Sequence, residues 1–426
     1  MSGNTQIVWL RCFCATVAQN ASWRRGGPKV AAFPGFLYSE PASPTKFEVS
    51  LATWRSGYAA VCKTVYAGSI PAVASTHSEV HPVRTPEVLV MRAFQLPQAT
   101  GIDALVEVDL PTPKPAYRQV LVKVVACSLN FRDLAIVIGR YPPGAKANVV
   151  PLSDGAGEVV EVGPGVTKVK AGDRVASCFF QRWQGGAPPA DSGRSALGGH
   201  IDGMLADYVV LEEDGVVKLP EHLSYNDGAS LPCAAVTAWN ALIEHGKIIA
   251  GETILVQGTG GVSIFALQFA RMMGCTVIAT SSSDEKLARA KKLGAAHGIN
   301  YKTTPDWDKA AVEITGGRGV DQVVEVGGAG TVAKSLGAIR QNGRVSMIGV
   351  LTGASDFNPM MILGKRANVQ GISVGSTQMF EAMNRAIAAN AMKPVIDKVF
   401  PFQDTKAAFK HLQSAQHFGK IVISMS

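Results

Sequence analysis

Paired cysteines are missing: no Cys-x-x-Cys occurs, and the seven cysteines, at 12, 14, 62, 127, 178, 233 and 275, are odd in number and scattered. That argues against a disulfide framework and a cysteine-rich zinc lobe. It fits a reducing cytoplasm, with each thiol expected to be a small buried hydrophobe. Charge is scarce too, at 17% of residues, and basic residues exceed acidic ones only by 41 minus 33, or +8. Half of that excess lies in residues 1–90, which hold eight Lys/Arg against four Asp/Glu. No basic face is left to bind nucleic acid, although a mildly basic cleft suits a phosphorylated cofactor. Long apolar runs are also lacking. The best early candidate, Ile7 to Val17, is short and carries Arg11, whereas a membrane span needs roughly 20 apolar residues. What is present is ample apolar material, 47% of 426 residues, enough for two ordinary folded domains.

Residues 1–90 show neither helical nor strand periodicity, and Pro28, Pro34, Pro41 and Pro44 interrupt them. Their polar start and broken apolar run do not match a signal or transit peptide. Leu51 to Thr76 resembles a translated transfer-RNA gene. Gly68-Ser69-Ile70-Pro71 can be encoded GGT TCG ATT CCG, as in a TΨC arm, and Val61-Cys62-Lys63-Thr64 can be encoded around a GCA anticodon. Complementary codons can be written for Leu51-Ala52-Thr53 and Ala72-Val73-Ala74. Residues 1–90 are therefore expected to be a non-native or disordered extension, with translation beginning at Met91.

From Met91 the pattern has two parts. Val120–Val125, Gly157–Val162 and Asp207–Leu211 are short β-rich runs punctuated by Pro and Gly, which predicts an irregular β-barrel-like domain. From Asn226, helical stretches at 229–245, 262–273 and 284–293 alternate with strands at 253–256, 276–279, 321–326 and 344–349. Such alternation is the mark of parallel βαβ units, so the fold class is α/β, a doubly wound parallel sheet plus a barrel-like domain. Beyond Val374 come helices at 380–390 and 405–414 and a strand at 420–424. The predicted boundaries are 91–228, 229–374, and 375–426 for the return to the first domain.

The strand ending at Val256 runs into Gln257-Gly258-Thr259-Gly260-Gly261-Val262-Ser263 and then a helix. Such a turn lets backbone approach a pyrophosphate and aims free helix N–H groups at it. Gly258, Gly260, Gly261 and Val262 are thus cofactor-binding candidates, with Ser263 departing from the usual Gly or Ala. About 20 residues further on, NAD-specific sites carry an acid for the ribose 2′-hydroxyl. Here stands Thr280-Ser281-Ser282-Ser283. Ser281 with Lys286 and Arg289 can hold a 2′-phosphate, while Asp284 is expected to cap the next helix. NADP(H) is favoured over NAD(H).

Asn130-Phe131-Arg132-Asp133, Gly155–Gly163, Gly172-Asp173-Arg174-Val175, Thr237-Ala238-Trp239 and the glycine turn, in this order and spacing, resemble the medium-chain dehydrogenase/reductase superfamily. More closely, they resemble its zinc-independent quinone oxidoreductase and enoyl reductase-like branch. The resemblance covers Met91 to Ser426. It implies a GroES-like substrate domain, an inserted Rossmann domain and a cleft between them. The family's first zinc-ligand cysteine is Asn130 here and its histidine is Ser153, which leaves only Cys233. One thiol cannot hold a catalytic zinc, which needs three protein ligands. The Gly/Pro-rich loop Gln181 to Gly203 takes the approximate place of the structural zinc lobe, and His200 within it has no partner at ligand spacing. Tyr141 matches a tyrosine of related enoyl-thioester reductases and is a candidate proton donor. Asn130 is expected to shape the site, Asp133 to orient its loop, and Thr237 and Tyr301 to lie near the cofactor.

These observations imply NADPH-dependent reduction of a small enone, quinone or carbonyl compound without zinc. A zinc-independent alcohol or aldehyde dehydrogenase and a non-catalytic NADPH-binding protein stay open. A small-molecule substrate is the expected partner, with neither nucleic acid nor membrane. The β-rich run Asn368 to Val374, matched to the family's last Rossmann strand, implies a homodimer or a tetramer of dimers.

Overall fold

The structure, a computed structural model, describes residues 89–141, 144–349, 351 and 357–425. The expectation for residues 1–90 lies almost wholly outside them. Strands with both faces covered tend to be continuous apolar runs; Thr253–Gln257 is of this kind, buried except at Thr253, and Val320–Glu325 is buried throughout although it carries Asp321, Gln322 and Glu325. They form the centre of a six-stranded sheet. Its spatial order is His297–Asn300, Thr276–Ser281, Thr253–Gln257, Val320–Glu325, Ile339–Met347 and Asn368–Gly371, and every neighbouring pair is parallel. Numbered by sequence, the order is 3-2-1-4-5-6, the Rossmann arrangement, whose crevice opens where the order reverses. That switch point lies between Thr253–Gln257 and Val320–Glu325, at the glycine turn.

The second sheet is largely antiparallel and is organised by the long strand Gln119–Leu129, which pairs with Asp154–Val162, Tyr208–Glu212 and Lys420–Ser424. The chain's last strand therefore returns to the first domain. Val90–Gln95 and Val106–Pro111 add a hairpin. The α/β class with a Rossmann sheet and a barrel-like partner is borne out.

Four local readings differ from the sequence expectation. The helix expected at 229–245 starts earlier, at Tyr225, because Ser224 and Asp227 form a capping box. It then includes π-type turns at Leu231–Ala235 and Asn240–Glu244, the first around Pro232, which lacks the donor a regular helix needs. Asp284 is not the cap of its helix: Ser283 accepts from Lys286 N, and Asp284 accepts from Asn300 Nδ2 at 2.9 Å. The strand Ile396–Pro401, parallel to Lys420–Ser424, was not legible, since Asp397 and Lys398 break its apolar alternation. The loop from Gln181 is packed by aromatic residues, with Phe180 5.8 Å from Trp183. Its Trp183 and Gln184 carbonyls accept from the first N–H groups of helix Thr377–Ala389 at 2.9 Å each.

Candidate active site

The glycine turn has the geometry of a cradle. Gly258 has φ +71°, and a Cβ placed there would meet nothing within 4 Å. Gly260 is extended, φ −76° and ψ −178°, and a Cβ there would find only His417 Nε2, at 3.9 Å. Gly261 opens the helix Gly261–Met272, and a Cβ on it would lie 2.7 Å from Lys420 Cδ and 3.2 Å from Ala234 Cβ. The first two glycines thus leave room over the backbone, and the third permits close packing beneath it. Val262 follows in the first helical turn, where N–H groups lack intrahelical partners. Ser263 donates to Gln257 O at 2.6 Å, so the departure from Gly or Ala closes the turn with a side-chain hydrogen bond. A dinucleotide pyrophosphate fits this cradle.

At the end of the neighbouring strand Ser281 is buried, and its carbonyl accepts from Tyr301 N at 3.0 Å. Tyr301 is exposed. Lys286 lies in the first turn of helix Asp284–Lys292 and donates to Ala415 O at 2.8 Å; burial lowers the pKa of its ammonium. The loop carrying Ala415 also places His417 against Gly260, and Gly419 N donates to Thr259 O at 2.9 Å. Burial, then the neighbouring Lys286, pull His417 down to about 4, so its imidazole is neutral at neutral pH. Thr237 is buried, and its hydroxyl donates back to Cys233 O at 2.6 Å.

Across from the turn lies a buried charge cluster. Asn130 N donates to Asp133 Oδ2 at 2.8 Å, and Arg132 reaches Asp133 Oδ1 at 3.4 Å and Leu197 O at 2.6 Å. Arg132 also lies 4.8 Å from the Phe179 ring centroid and 5.5 Å from that of Tyr141, a residue at the surface. Asp154 accepts from Ser153 Oγ at 2.7 Å and from Cys233 N at 3.0 Å. Burial raises both carboxyls, Asp133 to about 6, against the opposing influence of Arg132 on Asp133 and of Lys420 on Asp154. Lys420 Nζ donates to Leu129 O at 2.7 Å and to Asn130 Oδ1 at 2.6 Å, with Asp154 Oδ2 at 3.9 Å. The sequence reading missed Lys420 and His417. The available signal was a charged residue opening an otherwise apolar strand, Lys420–Ser424.

Residues 261–389 match the family described as Zinc-binding dehydrogenase, and residues 116–221 match the Alcohol dehydrogenase GroES-like domain. Over 337 residues the chain is 44% identical to a zinc-type alcohol dehydrogenase-like protein of Schizosaccharomyces pombe, covering 77% of this chain and 97% of that protein. It is 30% identical to a quinone oxidoreductase of Rattus norvegicus, covering 78% and 97%. A putative alcohol dehydrogenase structure from Sinorhizobium meliloti superposes with TM-score 0.74 at 39% identity, covering 79% of this chain and 99% of that one. The chain belongs to the medium-chain dehydrogenase/reductase superfamily. It is an NAD(P)-dependent oxidoreductase of that type, acting with a nicotinamide cofactor.

The donor set does not fit the zinc that the family's description implies. At the matched places stand an amide, Asn130, a hydroxyl, Ser153, and one thiol, Cys233, which burial pushes well above its usual range. An ammonium lies 2.6 Å from the amide oxygen. Zinc needs thiolate, imidazole or carboxylate ligands, and a neighbouring cation repels it. Among the described residues no group of three or more His, Cys, Asp or Glu side chains is placed to hold an ion. No helix among them is long and apolar enough to cross a membrane.

Proposed function

We propose that this protein reduces a small, mainly apolar enone, quinone or carbonyl compound with NADPH and without zinc. The observation that carries the reading is the buried ammonium of Lys420 beside Asn130 and Asp154, where a metal-dependent relative would need ligands. When bound, the nicotinamide supplies a hydride. The protein's task is then to seat the pyrophosphate on Gly258, Gly260, Gly261 and Val262, and to present hydrogen-bond donors to the substrate oxygen. Asn130 shapes the site and Tyr141, at the rim, is the candidate proton donor, while Asp133 holds the Asn130 loop. NADPH oxidation measured against quinones, enones, enoyl thioesters and aldehydes tests the reading. Activity confined to the oxidation of alcohols or aldehydes with NADP+, or tight NADPH binding with no turnover, would overturn it, as would a zinc content near one per chain.

NADPH preference rests on Ser281 at the second strand's end, on Tyr301, whose N–H donates to the Ser281 carbonyl, and on Lys286 in the first turn of the following helix, where the carboxylate nearest in sequence, Asp284, is engaged by Asn300. A charge-assisted hydrogen bond contributes about 1.5–3 kcal/mol, or tenfold and more in affinity. Replacing Lys286 by Ala is expected to weaken NADPH about tenfold and NADH less than twofold, read by fluorescence titration. Equal losses would assign Lys286 to the fold. Thr237 is proposed to face the cofactor through its helix and not through its donated hydroxyl proton.

A homodimer through the sheet edge is part of this reading. Asn368–Gly371 pairs, among the described residues, with Ile339–Met347 alone. Ile372 N donates to Met347 O at 2.8 Å, so by strand alternation Val369 and Gly371 turn their N–H groups to the open side. Met360 and Leu363 on the preceding helix are 62% and 67% exposed. Glu at both positions is expected to convert a dimer to a monomer in light scattering without loss of helicity. A wild type that is monomeric at micromolar concentration removes the basis for the dimer.

We also place the protein in the cytoplasm, with translation beginning at Met91. Such a chain keeps the hairpin pairs from Met91↔Leu110 to Gln95↔Val106. Mass spectrometry of the native protein is expected to find no tryptic peptide from residues 1–83, and one such peptide would refute the start site.

A further inference from the structure

Lys420 is 2% exposed although it opens a strand. A buried ammonium requires acceptors, and its two hydrogen bonds, to Leu129 O and Asn130 Oδ1, both reach the entrance of the Asn130 loop. Its stem meanwhile lies against Gly261 of the phosphate turn. One side chain therefore links the cofactor turn to the residue expected to shape the site. An ammonium has three donors and accepts nothing, so the Asn130 amide must offer it the oxygen. The Asn130 backbone N–H is held separately by Asp133. Asn130 is 8% exposed, and its buried Nδ2 faces the Asp154 carboxylate without forming a well-aligned hydrogen bond. An amide nitrogen carries two N–H bonds, and a buried donor left without a good hydrogen bond costs about 1–3 kcal/mol, so the N–H not turned to Asp154 is the one able to serve a ligand.

We infer that Lys420 is a positioning residue: its ammonium fixes the Asn130 amide so that the remaining Nδ2–H donates to the substrate's oxygen. The inference rests on the zinc-free reductase reading and adds to it the source of the fixed charge. Two of the three Lys420 N–H groups donate to protein oxygens, and Asp154 Oδ2 lies 3.9 Å from the nitrogen, so Lys420 is assigned a positioning role and no proton transfer.

The test uses the full chain with NADPH and 9,10-phenanthrenequinone as probe. Lys420→Met keeps the stem against Gly261 and removes the charge. The expected result is a fall in kcat of about 30-fold, with the NADPH Kd within threefold of wild type. Lys420→Met/Asp154→Asn removes both buried charges and protects the fold, and is expected to retain the loss. If kcat of the double variant lies within threefold of wild type, Lys420 only neutralises Asp154 and the inference is overturned. A second readout needs no turnover: in a crystal structure of the double variant the Asn130 amide is expected to be rotated or displaced. An unchanged amide overturns the inference. Wild type that binds NADPH but does not reduce the probe or the wider panel counts against the reductase reading alone, and the amide's position still decides the role of Lys420.

Discussion

Replacing Gly260 by Val is expected to weaken NADPH binding about 100-fold while lowering stability by no more than about 1 kcal/mol. The two effects separate because of where the side chain would go. Gly260 has ordinary extended dihedrals, so a β-carbon adds no left-handed strain. It would meet only His417 Nε2, at 3.9 Å, so the protein itself has room. The small stability loss comes from replacing glycine at a helix N-cap by a residue disfavoured there. A pyrophosphate seated on the turn has to share that room, and even one lost charge-assisted contact of about 1.5–3 kcal/mol brings tenfold or more. Displacement of the pyrophosphate from several N–H groups brings the rest. Gly364 is the control: it too has nothing within 4 Å of a built Cβ, but lies on the helix Met360–Lys365, away from the turn. Gly364→Val is expected to leave cofactor affinity unchanged. Fluorescence titration and thermal unfolding measure both quantities, and unchanged NADPH affinity in Gly260→Val would move the pyrophosphate site elsewhere.

The glycine turn was legible in the sequence because all its parts are local. Strand, turn and helix lie within Thr253 to Met272, and a parallel strand buried on both faces announces itself as an apolar run. The charge cluster was not legible, for the opposite reason. Lys420 meets Asn130 across 290 positions, and on its own it reads as a solvated lysine at a strand end. Its burial follows only once Lys420–Ser424 is known to pair with Gln119–Leu129, which no local period encodes. His417 is of the same kind, carried to Gly260 by the loop that follows Thr405–Gln413. The edge strand Asn368–Gly371 stands between these cases: its β character was visible, but which of its N–H groups remain free depended on Ile372 donating to Met347.

Replacing Asp133 by Ala is expected to destabilise the protein by about 3 kcal/mol at neutral pH, and Asp133→Asn is expected to cost less while flattening the pH dependence of stability. Asp133 is 1% exposed, and its carboxylate serves both Asn130 N and Arg132. Deleting it leaves a buried N–H without a partner and an Arg132 guanidinium without its counter-charge; breaking a buried pair in this way costs about 3–5 kcal/mol. Asparagine keeps an acceptor for Asn130 N. Burial raises the Asp133 carboxyl to about 6, above the unfolded value of roughly 3.9. The folded state therefore holds the proton more tightly than the unfolded state. The group's contribution to stability grows as pH falls through about 6 and is lost as pH rises through it, the reverse of a salt-bridged carboxylate whose value is depressed. Between pH 7.5 and pH 5 the linkage amounts to about 1.4 kcal/mol in favour of the folded state at the lower pH. Other carboxylates titrate too, so the quantity to compare is the difference between wild type and Asp133→Asn in denaturant unfolding at the two pH values. A difference that does not change with pH would place Asp133 in its ordinary range and return the cluster's charge balance to Asp154 and Lys420 alone.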